Sequence, residues 1–404
     1  MDNLDNRLRP GALCLRKNDP ATSLLLVELD GPHSLVARLA PDLEPLRVDA
    51  SELEVVGEDA AALRVVQLRW RTQRAALKAP PGKPVRTAMV LCAGLGTRLR
   101  PLTNVYPKPA LPFFSGPLVR YSFALLKGAG VERVVINTHH LPQVMEATAA
   151  REAQRLGLEL AVSHEPIIQG TGGGVRDARK LLGDEPFILL NGDAFMSLDL
   201  RSLVGAHQSR GDAVTMAVVP MPPTEKFPAV GATPEGEVQR IGEIGDPKLK
   251  LAPWHFVGVH VLEPSVFDFI PANDEQDIRP VYLAMAKAGL KVRVCPVALG
   301  AWADLGTPSR YLAACEEVLT GLCELSALGA SKPVEPNAPR RFWAHPQARL
   351  ESATLDRSAV CEGAHVRNVS LTRSAVLPGT RLEGPAALHD VIVSGELRLE
   401  GARG

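Results

Sequence analysis

Three patterns of apolar and polar positions follow one another along the chain. Residues 11–57 contain five short apolar runs, separated by turn residues such as Asn-Asp-Pro and Asp-Gly-Pro. Short runs between turn signals are typical of strands, so this segment predicts a small all-β module. The following stretch, 74–86, is rich in proline and glycine and predicts a linker. We therefore place a domain boundary near residue 85.

The middle of the chain alternates two kinds of segment. Between residue 87 and about residue 320, apolar runs such as AMVLCA and FILLNG alternate with segments of helical period, including 117–129 and 142–156. This alternation predicts a three-layer α/β domain built on a mainly parallel sheet. Motifs that follow the carboxyl ends of its strands are then expected to line one crevice.

The end of the chain has a third pattern. Residues 329–346 are rich in proline and predict a second linker, after which a small or branched apolar residue recurs about every six positions. The period slips near Asn368 and Pro385. It predicts a short left-handed β-helix-like tail of about three coils, with a loose β-hairpin cap as the alternative. The predicted domains are thus 1–85, 86–328 and 329–404, and the tail is a candidate surface for a homo-oligomer.

The composition and charge of the chain limit the binding partners and the cellular compartment that we expect. The 404 residues include 45 basic and 45 acidic side chains, so no net charge recruits nucleic acid or a membrane, and we expect neither as a partner. The N-terminus lacks the apolar core of a signal peptide, and no run of about 18 apolar residues occurs, so we expect a cytoplasmic protein. The six cysteines are widely spaced, without metal-site spacing, and predict reduced thiols.

One segment, Val90–Pro109 (VLCAGLGTRLRPLTNVYPKP), contains the residue types that binding of a nucleoside triphosphate requires. Gly94 and Gly96 follow a buried strand and allow backbone N–H groups to approach phosphate oxygens. Arg98 supplies a planar fork of donors, whereas Lys108, held between two prolines, supplies a positioned point charge. The segment lacks the GK[ST] of a P-loop and the third small residue of a dinucleotide-binding loop, which excludes both.

The run GLGTRLRPLT, followed by YPKPALPF, resembles the sugar-1-phosphate nucleotidyltransferases, also called nucleotide-sugar pyrophosphorylases. The resemblance extends from about residue 87 to about residue 319, and further motifs occur in the family's order. These motifs are VINTHHLP (135–142), EPIIQGTGGG (165–174), LLNGDAF (189–195), FVGVHVL (256–262) and WADLGTPSRY (302–311). The resemblance implies a Rossmann-like nucleotidyltransferase domain that transfers a nucleoside monophosphate from an NTP to a sugar 1-phosphate.

The resemblance also implies which residues form the site. Arg98 would neutralise the leaving pyrophosphate, and Lys108 would bridge the attacking and α phosphates. Asp193 and Asp304, each at a strand end, are implied to hold Mg²⁺, although a turn or a helix cap is the alternative for either. The nucleotide-binding residues are Ala93, Gly94, Gly96, Thr97, Gln169, Gly170 and Thr171. The sugar-binding residues are Gly172, Gly173, Asn191 and Gly192.

The implied chemistry needs no general base, because a phosphate nucleophile is already anionic at pH 7. We therefore interpret His139 and His140 as a polar lining or as loop histidines with hydrogen-bond partners. One departure from the family is the segment IGEIGDPKLKL, which lacks the usual EKP triplet and its lysine. Lys248 and Lys250 are the nearby candidates to replace that lysine.

The substrates stay open at this stage. Some motifs resemble the N-acetylmuramate-1-phosphate uridylyltransferases, whereas a β-helical tail resembles the mannose-1-phosphate guanylyltransferases. We favour a GDP-mannose-type product, with a uridylyltransferase of amino-sugar 1-phosphates as the alternative. A non-catalytic regulatory subunit of the same fold is a further alternative, and the retention of Arg98, Lys108, Asp193 and Asp304 argues against it.

Overall fold

The computed structural model describes residues 8–30, 33–38, 45–222, 227–272, 276–322 and 341–401. Contacts between Cα atoms divide the chain into two compact units: the first comprises Met1–Trp70 and Pro308–Gly404, and the second comprises Arg71–Thr307. These units differ from the three predicted segments, because the first and last segments share one unit. The predicted boundary near residue 328 lies outside the described residues.

The first unit begins with an antiparallel sheet in the order β4-β3-β2-β1-β5. Its strands are β1 (Ala12–Arg16), β2 (Asp19–Asp30), β3 (His33–Arg38), β4 (Pro45–Asp49) and β5 (Leu53–Glu58). All five apolar runs of the sequence therefore form strands. Alternate side chains on one face share a buried core that includes Cys14, Leu24, Leu26, Val36 and Val55.

A helix that the sequence analysis did not predict follows these strands. Helix α1 spans Ala60–Ala75. Its buried positions Ala61, Ala62, Val65, Val66 and Trp70 recur with helical spacing. The signal was therefore present in the sequence, and the N-terminal segment is not purely β.

The second unit contains the large sheet and most of the helices. Its strands are β6 (Thr87–Leu91), β7 (Pro112–Phe113), β8 (Gly116–Pro117), β9 (Arg133–Thr138), β10 (Glu159–His164), β11 (Phe187–Asn191), β12 (Ala194–Leu198), β13 (Val214–Pro220), β14 (Ala229–Ala232), β15 (Val238–Ile241), β16 (Ile244–Gly245), β17 (Ala252–Leu262), β18 (Val292–Pro296) and β19 (Leu299–Asp304). Its helices are α2 (Leu118–Gly128), α3 (Pro142–Leu156), α4 (Gly170–Asp177), α5 (Arg179–Leu182), α6 (Leu200–Arg210) and α7 (Ile278–Lys287).

The main sheet is mixed, which corrects the prediction of a mainly parallel one. Strands β10, β9, β6 and β11 are parallel neighbours, as the alternation of strands and helices predicted. The long strand β17, however, pairs antiparallel with β11, β13 and β14. Strands β14, β15 and β16 form an antiparallel meander that leads into β17, so no crossover helix separates them.

Both faces of the parallel strands β6, β9 and β11 are buried, as expected for a sheet covered by helices, whereas the edge strand β10 is largely half-buried or exposed. Met89, Val135 and Leu189 share one core with residues of α4, α5 and α7. Their neighbours Val90 and Ile136 point to the opposite face and are also fully buried. Helix α3 contacts β9 and β10. The mixed α/β architecture follows from this double burial.

The first unit continues with a helix and a series of short strands. These elements are α8 (Pro308–Leu319), β20 (Phe342–Ala344), β21 (Arg349–Glu351), β22 (Thr354–Asp356), β23 (Ser358–Val360), β24 (His365–Thr372), β25 (Ala375–Val376), β26 (Arg381–His389), β27 (Val391–Ser394) and β28 (Leu397–Glu400). The strands β20–β28 form two sheets. All strand pairs in these sheets are parallel except the final hairpin of β27 and β28.

The parallel strands pair with partners one coil further along the chain. Phe342 pairs with Ser358, and His365 pairs with Arg381, so a coil takes 16 residues rather than three units of six. The pairing shifts register between Arg367 and Val369, where the predicted period slips. Stacked coils are therefore present as predicted, and the left-handed sense of the coils stays a prediction.

The described cysteines are consistent with the prediction of reduced thiols. Among the described residues, Cys92, Cys295, Cys315 and Cys361 are buried free thiols, and Cys14 is buried as well. Burial raises the pKa of the Cys295 thiol to about 11 and that of Cys361 to about 12, so both stay protonated at neutral pH. Within the part of the chain that the structure describes, no helix is long and apolar enough to cross a membrane.

One carboxylate in the first unit joins α1, α8 and two successive coils. Glu316 on α8 lies 3.6 Å from Arg64 Nη2, 3.3 Å from Arg357 Nη1 and 3.9 Å from Arg373 Nε. Arg357 and Arg373 occupy equivalent corners of adjacent coils, both with positive φ. The Glu316 side chain is only 14% exposed. If its charge were removed, water could reach this position poorly and would not take its place as a partner of the arginines.

We expect Glu316→Gln to lower the melting temperature of the protein by about 2–4 °C, since the guanidinium groups would lose their shared counter-charge. The matched control is Glu396→Gln in the exposed turn between β27 and β28. Melting followed by circular dichroism tests this, and equal shifts in the two variants would contradict it.

Candidate active site

A cavity of about 520 Å³ opens where β6 and β11 end in the second unit. Because these strands are parallel neighbours, Leu91 and Asn191 lie side by side at its floor. The predicted site residues that line it are Ala93, Gly94, Gly96, Thr97, Arg98, Lys108, Gly170, Thr171, Asn191 and Asp193. The sequence motifs of this group therefore converge on one cavity.

The loop after β6 owes its path to one glycine. Gly96 has a φ of 59°, and a Cβ there would lie 3.0 Å from Thr103 Cγ2. Thr103 Oγ1 donates a hydrogen bond to the Gly96 carbonyl and closes the loop. Gly94, by contrast, lies outside the left-handed region, and a Cβ there would meet nothing within 4 Å. Gly94 therefore keeps space open rather than permitting an unusual backbone.

Lys108 is the charged centre of the cavity. It begins a short 3-10 turn after Pro107, and its side chain is 7% exposed. Its Nζ donates hydrogen bonds to Asp193 Oδ2 at 2.8 Å and to Asp304 Oδ1 at 3.1 Å. Register brings these carboxylates together, because β12 and β19 are antiparallel and Ala194 pairs with Asp304. Two strand-end aspartates from distant motifs thus share one ammonium.

Arg98 lies beside this cluster because Gly306 has no side chain. A Cβ at Gly306 would lie 2.8 Å from Arg98 Nη2 and 2.9 Å from Asp304 Oδ1. Gly306 belongs to the motif WADLGTPSRY, and its role in this close approach was not predicted from the sequence. Two cations and two carboxylates therefore meet at one end of the cavity.

The glycine-rich segment divides into lining and supporting residues. Gly170 and Thr171 line the cavity. Gly172 and Gly173 do not, and their N–H groups donate to the Gln276 carbonyl at 2.7 and 3.3 Å. These two amides are therefore engaged by the protein, which argues against the predicted sugar contact through them. Gly192, whose N–H donates to the Leu91 carbonyl, is also absent from the lining.

A buried polar chain that the sequence analysis missed supports the loops. Asn137 Oδ1 accepts from the Cys92 N–H at 2.7 Å, and Asn137 Nδ2 donates to Glu165 Oε1 at 2.8 Å. Glu165 Oε2 then accepts from the Gln169 N–H at 2.9 Å. Gln169 thus supports the start of α4 and does not line the cavity. The sequence signal for this chain of hydrogen bonds is a polar residue at the end of an apolar strand, and Asn137 is such a residue near the end of β9.

No nucleophilic or acid-base arrangement emerges from the nearby histidines and cysteine. His139 Nδ1 lies 2.9 Å from the Glu165 carbonyl, and His140 Nε2 lies 2.6 Å from the Thr103 carbonyl, as expected of loop histidines. Burial, with a further contribution from the Asp193 charge, raises the pKa of the Cys92 thiol far above its usual range. Cys92 is therefore a structural thiol.

The family model for nucleotidyl transferases matches residues 87–321, more than half of the chain. The chain belongs to this family. This match confirms the predicted membership of the sugar-1-phosphate nucleotidyltransferases. It also confirms the predicted reaction class, nucleotidyl transfer.

Several relatives of the transferase are known. A probable mannose-1-phosphate guanylyltransferase 3 of Oryza sativa subsp. japonica is 31% identical over 320 residues, which cover 76% of this chain and 85% of the relative. The mannose-1-phosphate guanylyltransferase catalytic subunit beta of Danio rerio is 28% identical, covering 78% and 94%. A UTP--glucose-1-phosphate uridylyltransferase of Synechocystis sp. (strain ATCC 27184 / PCC 6803 / Kazusa) is 29% identical, covering 58% and 63%.

A second cavity of about 520 Å³ adjoins the first in the transferase. The two share Gly170, Thr171 and Asn191 as lining residues. At its floor His260 Nδ1 lies 3.0 Å from the Tyr282 hydroxyl, and both residues are buried. Burial lowers the pKa of His260 to about 3, so this histidine is neutral at pH 7.

The depressed pKa of His260 predicts a pH dependence of stability. The unfolded chain binds a proton near pH 6.5 and the folded chain only near pH 3, so the free energy of unfolding falls as the pH is lowered through this window. The slope from one such group is about 1.4 kcal/mol per pH unit.

Urea denaturation between pH 6.5 and pH 4 tests this expectation. His260→Gln should flatten the slope, whereas the exposed His389→Gln should leave it unchanged. Parallel slopes for wild type and His260→Gln would show that His260 does not titrate as expected.

Proposed function

We propose that the protein transfers GMP from GTP to mannose 1-phosphate, forming GDP-mannose and releasing pyrophosphate. The observation that carries the proposal is the Lys108 ammonium held between Asp193 and Asp304 beside the glycine loop, in a chain of the nucleotidyl transferase family. The relatives named mannose-1-phosphate guanylyltransferases support this choice of substrates.

The reaction is an in-line displacement at the α phosphorus. A phosphate oxygen of mannose 1-phosphate forms a bond to that phosphorus, and the bond to the β-phosphate oxygen breaks, so pyrophosphate leaves with the electron pair. The nucleophile is already an anion and gives up no proton. The protein therefore contributes positioning and neutralisation of charge.

The position of each residue in the cavity indicates its part in binding the substrates and neutralising their charge. Arg98 neutralises the leaving pyrophosphate, and Lys108 attracts the attacking and α phosphates to one point. The backbone from Ala93 to Thr97 cradles the triphosphate, while Gly170 and Thr171 contact the base and ribose. Asn191, which lines both cavities, lies where the two reactants would meet.

Asp193 and Asp304 suit a bound Mg²⁺. Their oxygens converge on a single Nζ, so they are close enough to share one cation. Lys108 and Arg98 balance the charges of the two carboxylates, so the cluster offers no net positive charge to the phosphates. Mg²⁺ prefers one or two carboxylates together with phosphate oxygens, and when bound it would supply the positive charge that this cluster lacks.

A uridylyltransferase reaction is the second candidate. The relative named UTP--glucose-1-phosphate uridylyltransferase favours it, although a smaller part of the chain is covered than by the guanylyltransferases. The cluster of Arg98, Lys108, Asp193 and Asp304 argues against a non-catalytic subunit. Association of copies through the coils stays a prediction that light scattering would test.

We expect pyrophosphate release when the purified protein is given Mg²⁺, GTP and mannose 1-phosphate. A matrix of five nucleoside triphosphates and a panel of sugar 1-phosphates tests the choice of substrates. Asp193→Ala should abolish the signal, because the metal and the orientation of Lys108 would both be lost, whereas the exposed Asp184→Ala should not. If the folded wild-type protein released no pyrophosphate with any pair of substrates, the proposal would be overturned.

Activity should also depend on the divalent cation. We expect EDTA to abolish turnover and added Mg²⁺ to restore it. Asp304→Asn should raise the Mg²⁺ concentration for half-maximal rate roughly 10- to 100-fold, since a ligand of the metal would lose its charge. Full activity in EDTA, or an Asp304→Asn variant with wild-type Mg²⁺ dependence, would count against the metal site.

A further inference from the structure

Among its described lining residues the second cavity contains one arginine, Arg279, and no lysine, beside the histidines His255 and His260. Much of the remaining lining is apolar, including Met216, Val230, Phe256 and Ile278. An apolar floor suits the carbon face of a sugar ring, whereas an anionic group in this cavity requires a cation.

The Arg279 guanidinium is fixed by two carboxylates. Its Nε donates to Asp277 Oδ2 at 2.7 Å, its Nη2 lies 2.7 Å from the same oxygen, and its Nη1 donates to Glu243 Oε1 at 3.3 Å. Of the five N–H donors of a guanidinium these contacts engage three, which leaves one on each terminal nitrogen for a ligand. Such a fork matches two oxygens of one phosphate.

Hydrogen bonds join the backbone before Arg279 to the start of α4, whose first residues line both cavities. Asp277 caps α7 and accepts a hydrogen bond from the Arg279 N–H at 2.8 Å. The preceding Gln276 carbonyl accepts from Gly172 and Gly173, at the start of α4. The first residues of α4, Gly170 and Thr171, line both cavities. The chain segment that leads into Arg279 is therefore hydrogen-bonded to the segment whose first residues line both cavities.

The lysines suggested by the sequence are placed differently. Lys248 and Lys250 are exposed, and neither lines the first or the second cavity. The turn before them is nonetheless close to Arg279, because a Cβ at Gly242 would lie 3.3 Å from Arg279 Nη1. The segment IGEIGDPKLKL thus brings Glu243 to the site, while the cation comes from α7.

We propose that Arg279 binds the phosphate of the sugar 1-phosphate and orients it towards the α phosphorus. This assignment rests on the proposed function and adds a residue to it. Asp277 and Glu243 hold the plane of the guanidinium, so Arg279 is a preorganised binding group rather than a mobile surface charge.

The test is steady-state kinetics on the pair of substrates that the wild type turns over, with GTP and mannose 1-phosphate as the first probe. We expect Arg279→Gln to raise KM for the sugar 1-phosphate roughly 10- to 100-fold, because a charge-assisted hydrogen bond to the phosphate is lost. KM for the NTP should change by less than about twofold, and Arg279→Lys should restore part of the loss. Lys248→Ala and Lys250→Ala serve as matched controls and should behave as wild type.

The outcomes separate this assignment from the proposed function. A wild-type protein that turns over no pair overturns the proposed function and the assignment with it. An active wild type together with an Arg279→Gln variant of unchanged KM for the sugar 1-phosphate overturns the assignment alone. An equal rise of KM for both substrates, or an effect of Lys248→Ala as large as that of Arg279→Gln, also overturns it. Melting temperatures of the variants identify any general loss of folding.

Discussion

The ion cluster of Lys108, Asp193 and Asp304 ties together three distant segments of the second unit. An ammonium with only 7% of its side chain exposed requires nearby carboxylates, which Asp193 and Asp304 supply. The three residues come from a proline-bounded turn, from the start of β12 and from the end of β19. Correct pairing of β12 with β19 is therefore a condition for the site and not only for the sheet.

Around this cluster, the parallel strands and the polar chain perform different tasks. The parallel pairing of β6 and β11 brings the glycine loop beside Asn191. The hydrogen bonds from Cys92 through Asn137 and Glu165 then tie that loop to the start of α4. Because these groups are buried, each must find a partner, which gives the loop one preferred position. Two adjoining cavities with a shared wall result.

The first unit is organised by repetition rather than by a reacting centre. Its coils stack with a spacing of 16 residues, and of 17 after the register shift, so side chains at equivalent corners recur in line. Arg357 and Arg373 are such a pair, and Glu316 on α8 offsets their charge. Backbone pairing sets the spacing of the coils, and the charges at the corners attach a helix to them.

Elements and motifs whose causes are local could be predicted from the amino-acid sequence. Apolar runs predicted the strands of the N-terminal sheet, helix α3 coincides with the predicted segment 142–156, and the residue types around Lys108 indicated phosphate chemistry. Which distant residues become partners depends on the complete fold. The antiparallel position of β17, the engagement of Gly172 by Gln276 and the placement of Arg279 in the second cavity depend on residues far apart in the chain. Local periodicity carries no information about such partners, because strand pairing and buried hydrogen bonds are satisfied by the fold as a whole.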